Sequence, residues 1–139
     1  MTKFLSALLL FLAIVTSRLC FASEVPGAWK LEVLDLKGQL RVVATVQFSD
    51  QSAPSCMSGT WKAVIVKSIS KQSADFFPIG APLAYTTQNG ILTLGRTEIC
   101  DGYLFLSGNL HRDKIQGSYS SASIGGARQL GKFTLRRAP

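Results

Sequence analysis

Apolar and polar residues alternate in twos from Trp29 almost to the end of the chain. In AWKLEVLD, Trp29, Leu31 and Val33 share one face while Lys30 and Glu32 share the other. In RVVATVQF, Val42, Ala44, Val46 and Phe48 stand opposite Arg41, Val43, Thr45 and Gln47. A two-residue period marks a strand with one dry face, and the DLKG turn joins the two segments into a hairpin over residues 28–48. TWKAVIVKSI predicts a third strand with Trp61, Ala63 and Ile65 inward. Its other face, Lys62, Val64 and Val66, is unusually apolar for an outer surface, as in a strand that is partly covered. LAYTTQNGILTLG is a hairpin around Asn89-Gly90, residue types that accept the positive φ angles of a type I′ turn. TEICDGYLFLSGNL bends or bulges at Asp101-Gly102. DKIQGSYS and GKFTLRR then alternate again, with Ile115, Gly117 and Tyr119 on one face and Phe133 and Leu135 on another, as the two arms of a wide terminal hairpin.

This is seven or eight short strands at intervals of about ten residues, with no twelve-residue stretch of helical period. The fold class is all-β. Short hairpin-like links favour a small antiparallel barrel of about eight strands in up-and-down order, because closure removes the exposed edges a small sheet would otherwise present. A β-sandwich is the alternative.

The first 22 residues depart from the alternation and change the picture. Lys3 is followed by an apolar run from Phe4 to Val15, and Cys20 and Ala22 place small residues at a cleavage site. That is the plan of a secretory signal peptide, cut after Ala22, and the run of about a dozen apolar residues is short against the about 20 needed to span a membrane. Residues 23–139 then form a single domain, exported to the periplasm or the extracellular space, with no transmembrane span of its own. The alternative is a lipoprotein acylated at Cys20, although Arg18 and Leu19 stand where such signals carry small residues. Lys3 and Arg18 leave with the signal, so the formal charge of +7 falls by two. What remains favours acidic partners in general. The cysteines left are Cys56 and Cys100, an even pair in an exported chain and hence a disulfide. Closing a loop of about 45 residues is worth roughly 4 kcal/mol on the chain-entropy model.

Three short motifs, Gly27-Ala28-Trp29, Gly59-Thr60-Trp61 and Gly117-Ser118-Tyr119, resemble the Gly-x-Trp and Gly-x-Tyr strands of small calycin-type barrels such as the avidins. The resemblance implies a secreted barrel in which Trp29, Trp61 and Tyr119 pack into the interior or at a ligand mouth. The chain lacks the polar, tryptophan-rich biotin pocket of avidins. In size, export and disulfide it is also similar to small periplasmic inhibitor proteins that fold as eight-stranded barrels.

Catalytic chemistry finds little to work with. His111 is the only histidine, and Ser107, His111 and Asp113 lie too close along one turn to make an oriented nucleophilic relay. No metal-ligand spacing and no cofactor motif is present, so neither a metal nor a cofactor is expected. The eight carboxylates fall mostly in turns, where Asp accepts local backbone hydrogen bonds. A glycan-active enzyme would need two of them facing each other across a cleft, Glu98 or Asp101 among them. Binding is the expected role: contact with an envelope or extracellular protein, as an inhibitor for example, or carriage of a small hydrophobic ligand inside the barrel. ADFFPIGAP offers Phe76, Phe77 and Pro78 as a contact loop, or as rings capping an open barrel end. Arg128, Lys132, Arg136 and Arg137 form either an ordinary solvated face or an anionic contact surface; export argues against nucleic acid as its partner. The Gly125-Gly126 pair is no phosphate loop, since neither Lys-Ser/Thr nor a helix follows it.

Overall fold

The structure is a computed structural model that describes residues 25–73 and 75–139. The expected signal peptide over residues 1–22 and its acylation alternative at Cys20 fall outside the described residues. Eight strands follow one another: β1 (Gly27–Asp35), β2 (Leu40–Ser52), β3 (Lys62–Gln72), β4 (Leu83–Gln88), β5 (Ile91–Arg96), β6 (Tyr103–Leu110), β7 (Lys114–Ser123) and β8 (Gly126–Arg137). Each pairs antiparallel with the next, and β8 returns to β1, with Leu31 opposite Leu135 and Val33 opposite Phe133. The chain is therefore a closed up-and-down barrel and not a sandwich. Asn89 and Gly90 both take positive φ, 51° and 75°, as the tight hairpin between β4 and β5 requires.

The dry faces of the strands converge on one interior cluster. Trp29, Leu31, Val33, Val42, Phe48, Leu92, Leu94, Tyr119, Phe133 and Leu135 are each at most 1% exposed. Such values leave no water-sized void among them, so the barrel is filled by its own side chains. Trp29, Phe48 and Tyr85 stack edge to face down the middle, at 6.2 and 4.7 Å between centroids. Gly108 and Gly117 face each other across β6 and β7, where their bare Cα atoms let the two backbones approach closely and leave room beside Gly108 for the Phe133 ring. A methyl group on Gly108 would come within 3.0 Å of Phe133 Cζ. The outer wall carries Lys30, Glu32, Lys132, Thr134 and Arg136 at alternate positions. This is the reverse of a membrane-spanning barrel, whose apolar residues face outward. Among the described residues, no helix is long and apolar enough to cross a membrane.

The expectation for β3 is corrected. Register places Val64 opposite Phe48 and Val66 opposite Val46, so the valines face the interior, while Ile65 lies opposite Gln47 and is 39% exposed. Trp61 and Ala63 are on the outer parity. Trp61 is nonetheless only 5% exposed, outside the central cluster, because the 53–60 connection folds over it and its indole nitrogen donates to Ser58 O at 3.0 Å. The apolar face that looked outward in the sequence was the inner one.

The seam between β3 and β4 is the shortest in the wall. Only Lys62–Val64 pair with Leu83–Tyr85, leaving the second half of β3 without a strand on that side among the described residues. Two register shifts, at Lys67 and Ser70, kink this free edge, and its lysines further discourage stray pairing. Cys56 and Cys100 form the disulfide, their Cα atoms 5.1 Å apart. It joins the β2–β3 connection to the β5–β6 connection and so crosses the short seam.

Candidate functional site

A candidate site lies at the end of the barrel that holds the β1–β2, β3–β4, β5–β6 and β7–β8 connections. The β3–β4 connection, residues 73–82, folds inward there. Phe77 (1% exposed) and Ile79 (0%) join the core cluster, and Phe76 packs against it half-buried. Tyr119 is the post they lean on. Its ring meets Phe76 and Phe77 edge-on at 5.0 and 5.5 Å, and its hydroxyl donates a hydrogen bond to Phe76 O. Burial pushes the Tyr119 phenol up to about 12, against a smaller opposing pull from Arg96. Of the three residues expected in a contact loop, Phe77 is therefore turned into the core, while Phe76 and Pro78 stay partly exposed beside it. The two rings cost too much to leave in water when an open barrel end lies beside them, and they plug it.

Arg41 fastens the plug to the wall. Its Nε donates to Ser73 Oγ at 3.1 Å, one terminal nitrogen pairs with Asp35 Oδ2 at 3.1 Å, and the guanidinium lies 5.0 Å from the Phe76 ring centroid. Asp35 is the opposite anchor: its Oδ1 accepts the amides of Lys37 and Gln39, both at 2.9 Å, which closes the β1–β2 turn. The Gln39 amide holds the Asp35 carboxyl below the ordinary carboxylate value. Partial burial opposes this, and Arg41 and the Lys37 amide reinforce it.

The four basic residues near the end of the chain are split by the structure. The register of β8 against β7 shifts at Leu130, so Arg128 turns toward the plugged end, where it lines a groove with Lys37, Arg41 and Tyr119. Lys132 and Arg136 stay on the outer wall. Arg136 sits between Lys30 of β1 and Lys114 of β7, both directly opposite it. Arg137 reaches the other end of the barrel, 4.7 Å over the Trp29 ring, and donates to Pro26 O and Arg112 O. These residues do not form one patch.

Of the three aromatics expected inside or at a mouth, Trp29 and Tyr119 are interior and Trp61 lies under the disulfide-bearing connection. Tyr103 is also buried on the outer side of the wall, stacked on Phe105 at 5.6 Å. Burial raises its phenol; the neighbouring Ser55 hydroxyl offsets this only in part, without completing a hydrogen bond. His111 is exposed in the β6–β7 turn, and Glu98 and Asp101 are exposed in the β5–β6 connection.

Sequence reasoning missed the residues that shape the groove, above all Leu36, Lys37, Arg41 and Leu130. One signal was available: Leu36 is a large apolar residue inside a four-residue turn, and it is 65% exposed. In comparisons with family models, with characterised proteins and with solved structures, nothing matches this chain.

Proposed function

We propose that the chain is an exported binding module that engages a protein partner through the outside of its barrel, inhibition of an enzyme being the most direct use of such contact. The observation that carries this reading is the filled interior. With the central side chains at most 1% exposed and the open end plugged by Phe77 and Ile79, what the barrel offers to other molecules is its outer surface and rims. The same observation counts against carriage of a small hydrophobic ligand. The Cys56–Cys100 disulfide supports an oxidising compartment, in keeping with the signal-like N-terminus. A polarity-sensitive naphthalene dye, titrated into the purified domain, should show no saturable rise in fluorescence. Immobilised domain should retain a protein from an envelope extract in a fixed ratio. Saturable one-to-one dye binding, displaced by a fatty acid, would replace this reading with the carrier.

A further inference from the structure

β8 is longer than the strand it closes on. Its pairing with β1 stops at Gly131 opposite Asp35, while its pairing with β7 continues to Gly126 opposite Ser123. Gly126–Leu130 therefore overhang the rim: Gly126–Gln129 pair with β7, Leu130 bulges between Gln129 and Gly131, and among the described residues no strand lies on the other side. Five residues of strand are about 16 Å of free edge, and every second residue on it turns its amide and carbonyl to the open side.

Two grooves flank this edge and share Leu36 and Asp35. The groove on the plug side has a volume of about 470 Å³ and an apolar floor of Phe76, Leu104, Tyr119 and Leu130. The groove on the outer side, about 640 Å³, is lined by polar groups including Gln129 and Lys132. A strand laid along the edge as a continuation of β1 would send alternate side chains into the two grooves.

The charges select among occupants. Lys37, Arg128 and Lys132 are exposed, and among the described residues none of them makes an ion pair. On the plug side Asp35 is committed to Arg41 and two amides, and Asp75 is exposed, so that groove suits apolar side chains more than acidic ones. On the outer side Lys132 suits a carboxylate. A second copy of this chain paired antiparallel about Arg128 would set Arg128 against Arg128, and like charges directly opposite are destabilising. The free edge of β3 is the competing site, but its two register shifts leave only Ser68 and Ile69 unbroken between them, whereas the overhang pairs regularly over Gly126–Gln129 and bulges once, at Leu130.

We propose that the overhang of β8 is a strand-addition site for an extended segment of a partner protein, with apolar residues alternating with acidic ones. Backbone hydrogen bonds to Gly126–Leu130 supply the register. Phe76, Leu104 and Leu130 receive the apolar side chains, Lys132 pairs with an acidic one on the outer side, and Arg128 and Lys37, at the rim of the plug-side groove, draw the acidic segment toward the edge through their charge. This deepens the protein-binding reading above and rests on it.

The test uses a fluorescein-labelled alternating Asp/Val octapeptide and the isotopically labelled domain with its disulfide intact. The expected result is saturable binding, with amide shifts and slowed hydrogen exchange confined to Gly126–Leu130 and the facing β1–β2 turn. A Lys/Val octapeptide should bind at least tenfold more weakly, and so should the Asp/Val peptide methylated on alternate backbone nitrogens. Arg128→Glu/Lys132→Glu, whose folding is checked by an unchanged melting temperature, should lose the Asp/Val peptide at least tenfold. Equal binding of the two peptides, shifts located elsewhere, or no binding up to about 1 mM would overturn the proposal. So would a dimer, or binding of phosphatidylglycerol vesicles, that the double substitution abolishes, since the edge would then serve self-association or a lipid surface. A partner retained equally by the wild-type domain and the double variant would overturn the groove alone. No partner retained by either would overturn the protein-binding reading as well.

Discussion

Phe77→Ala separates a plug from a contact loop. The Phe77 ring is 1% exposed and meets the Tyr119 ring edge-on at 5.5 Å. Truncating a fully buried Phe costs about 3–5 kcal/mol, the lost transfer energy plus the cavity left behind. A small domain has about 5–15 kcal/mol in all, so the variant should retain only part of its margin. Phe76→Ala should cost less, because that ring is half-buried. It loses an edge-on contact with Tyr119, about 0.5–1.5 kcal/mol, and its place beside Arg41, about 0.5–1 kcal/mol at a partly exposed site. Together these come to about 1–2.5 kcal/mol. Urea unfolding with the disulfide intact reads both, and at an m-value near ~1.5 kcal/mol/M the Phe77 variant should unfold about 2–3 M earlier than the parent. The m-value itself should hold, since the surface exposed on unfolding hardly changes. Costs below about 1 kcal/mol for both variants would refute the plug, because surface substitutions lie within about 0.5 kcal/mol.

Tyr85, Tyr103 and Tyr119 all have phenols raised by burial, so a titration followed at 295 nm should show less phenolate at pH 10–11 in the folded domain than in urea, with Tyr119 ionising last, near about 12. A group raised in the folded state contributes stability that is intact below pH 10 and lost as pH climbs toward the folded value; full ionisation of the folded domain by pH 11 would contradict the buried placement. Asp35 runs the other way: its lowered pKa contributes stability above pH 3.8 that is lost as pH falls through the folded value. Hydrogen exchange in the β1–β2 turn and residues 73–77 should therefore quicken in acid, and Asp35→Asn should quicken it at neutral pH as well. Reducing Cys56–Cys100 should cost roughly 4 kcal/mol on the chain-entropy model, and an unchanged melting temperature after reduction would count against it. Gly117→Ala should cost at least about 2 kcal/mol by overpacking, since its methyl group would land on the Ser107 carbonyl oxygen; a melting temperature within a degree of wild type would contradict the tight β6–β7 approach.

The barrel could be read from alternation because most of its strands keep one parity from end to end. β1 is the clearest case: Trp29, Leu31 and Val33 are wholly buried, as the pattern requires. Parity alone misled at β3, where Trp61 heads a run with Ala63 and Ile65 but the pairing with β2 selects Val64 and Val66. An aromatic residue is a strong cue for the interior, and here a neighbouring loop, not the barrel, buries it. The site was harder to read. Phe76 and Phe77 looked the same in sequence whether they cap or protrude, because the choice rests on Tyr119 and Arg41, respectively 43 and 32 positions from their bonded partners Phe76 and Ser73. Likewise a register shift at Leu130 separates Arg128 from Lys132, and no local signal announces a shift of one residue. The overhang of β8 is a difference between two strand lengths and belongs to neither sequence segment alone.

The three-pair seam between β3 and β4 also has a mechanical meaning. A sideways pull on the wall loads every seam in series, so the ring should tear first where fewest backbone bonds share the force. The disulfide spans that line from the β2–β3 connection to the β5–β6 connection, with its Cα atoms 5.1 Å apart. Once the three pairs give way, this covalent strap would keep the torn lips within reach, so that a breach closes again instead of spreading around the ring. In the reduced protein the same breach would run on, and the cylinder would open into a flat ribbon with its apolar lining exposed.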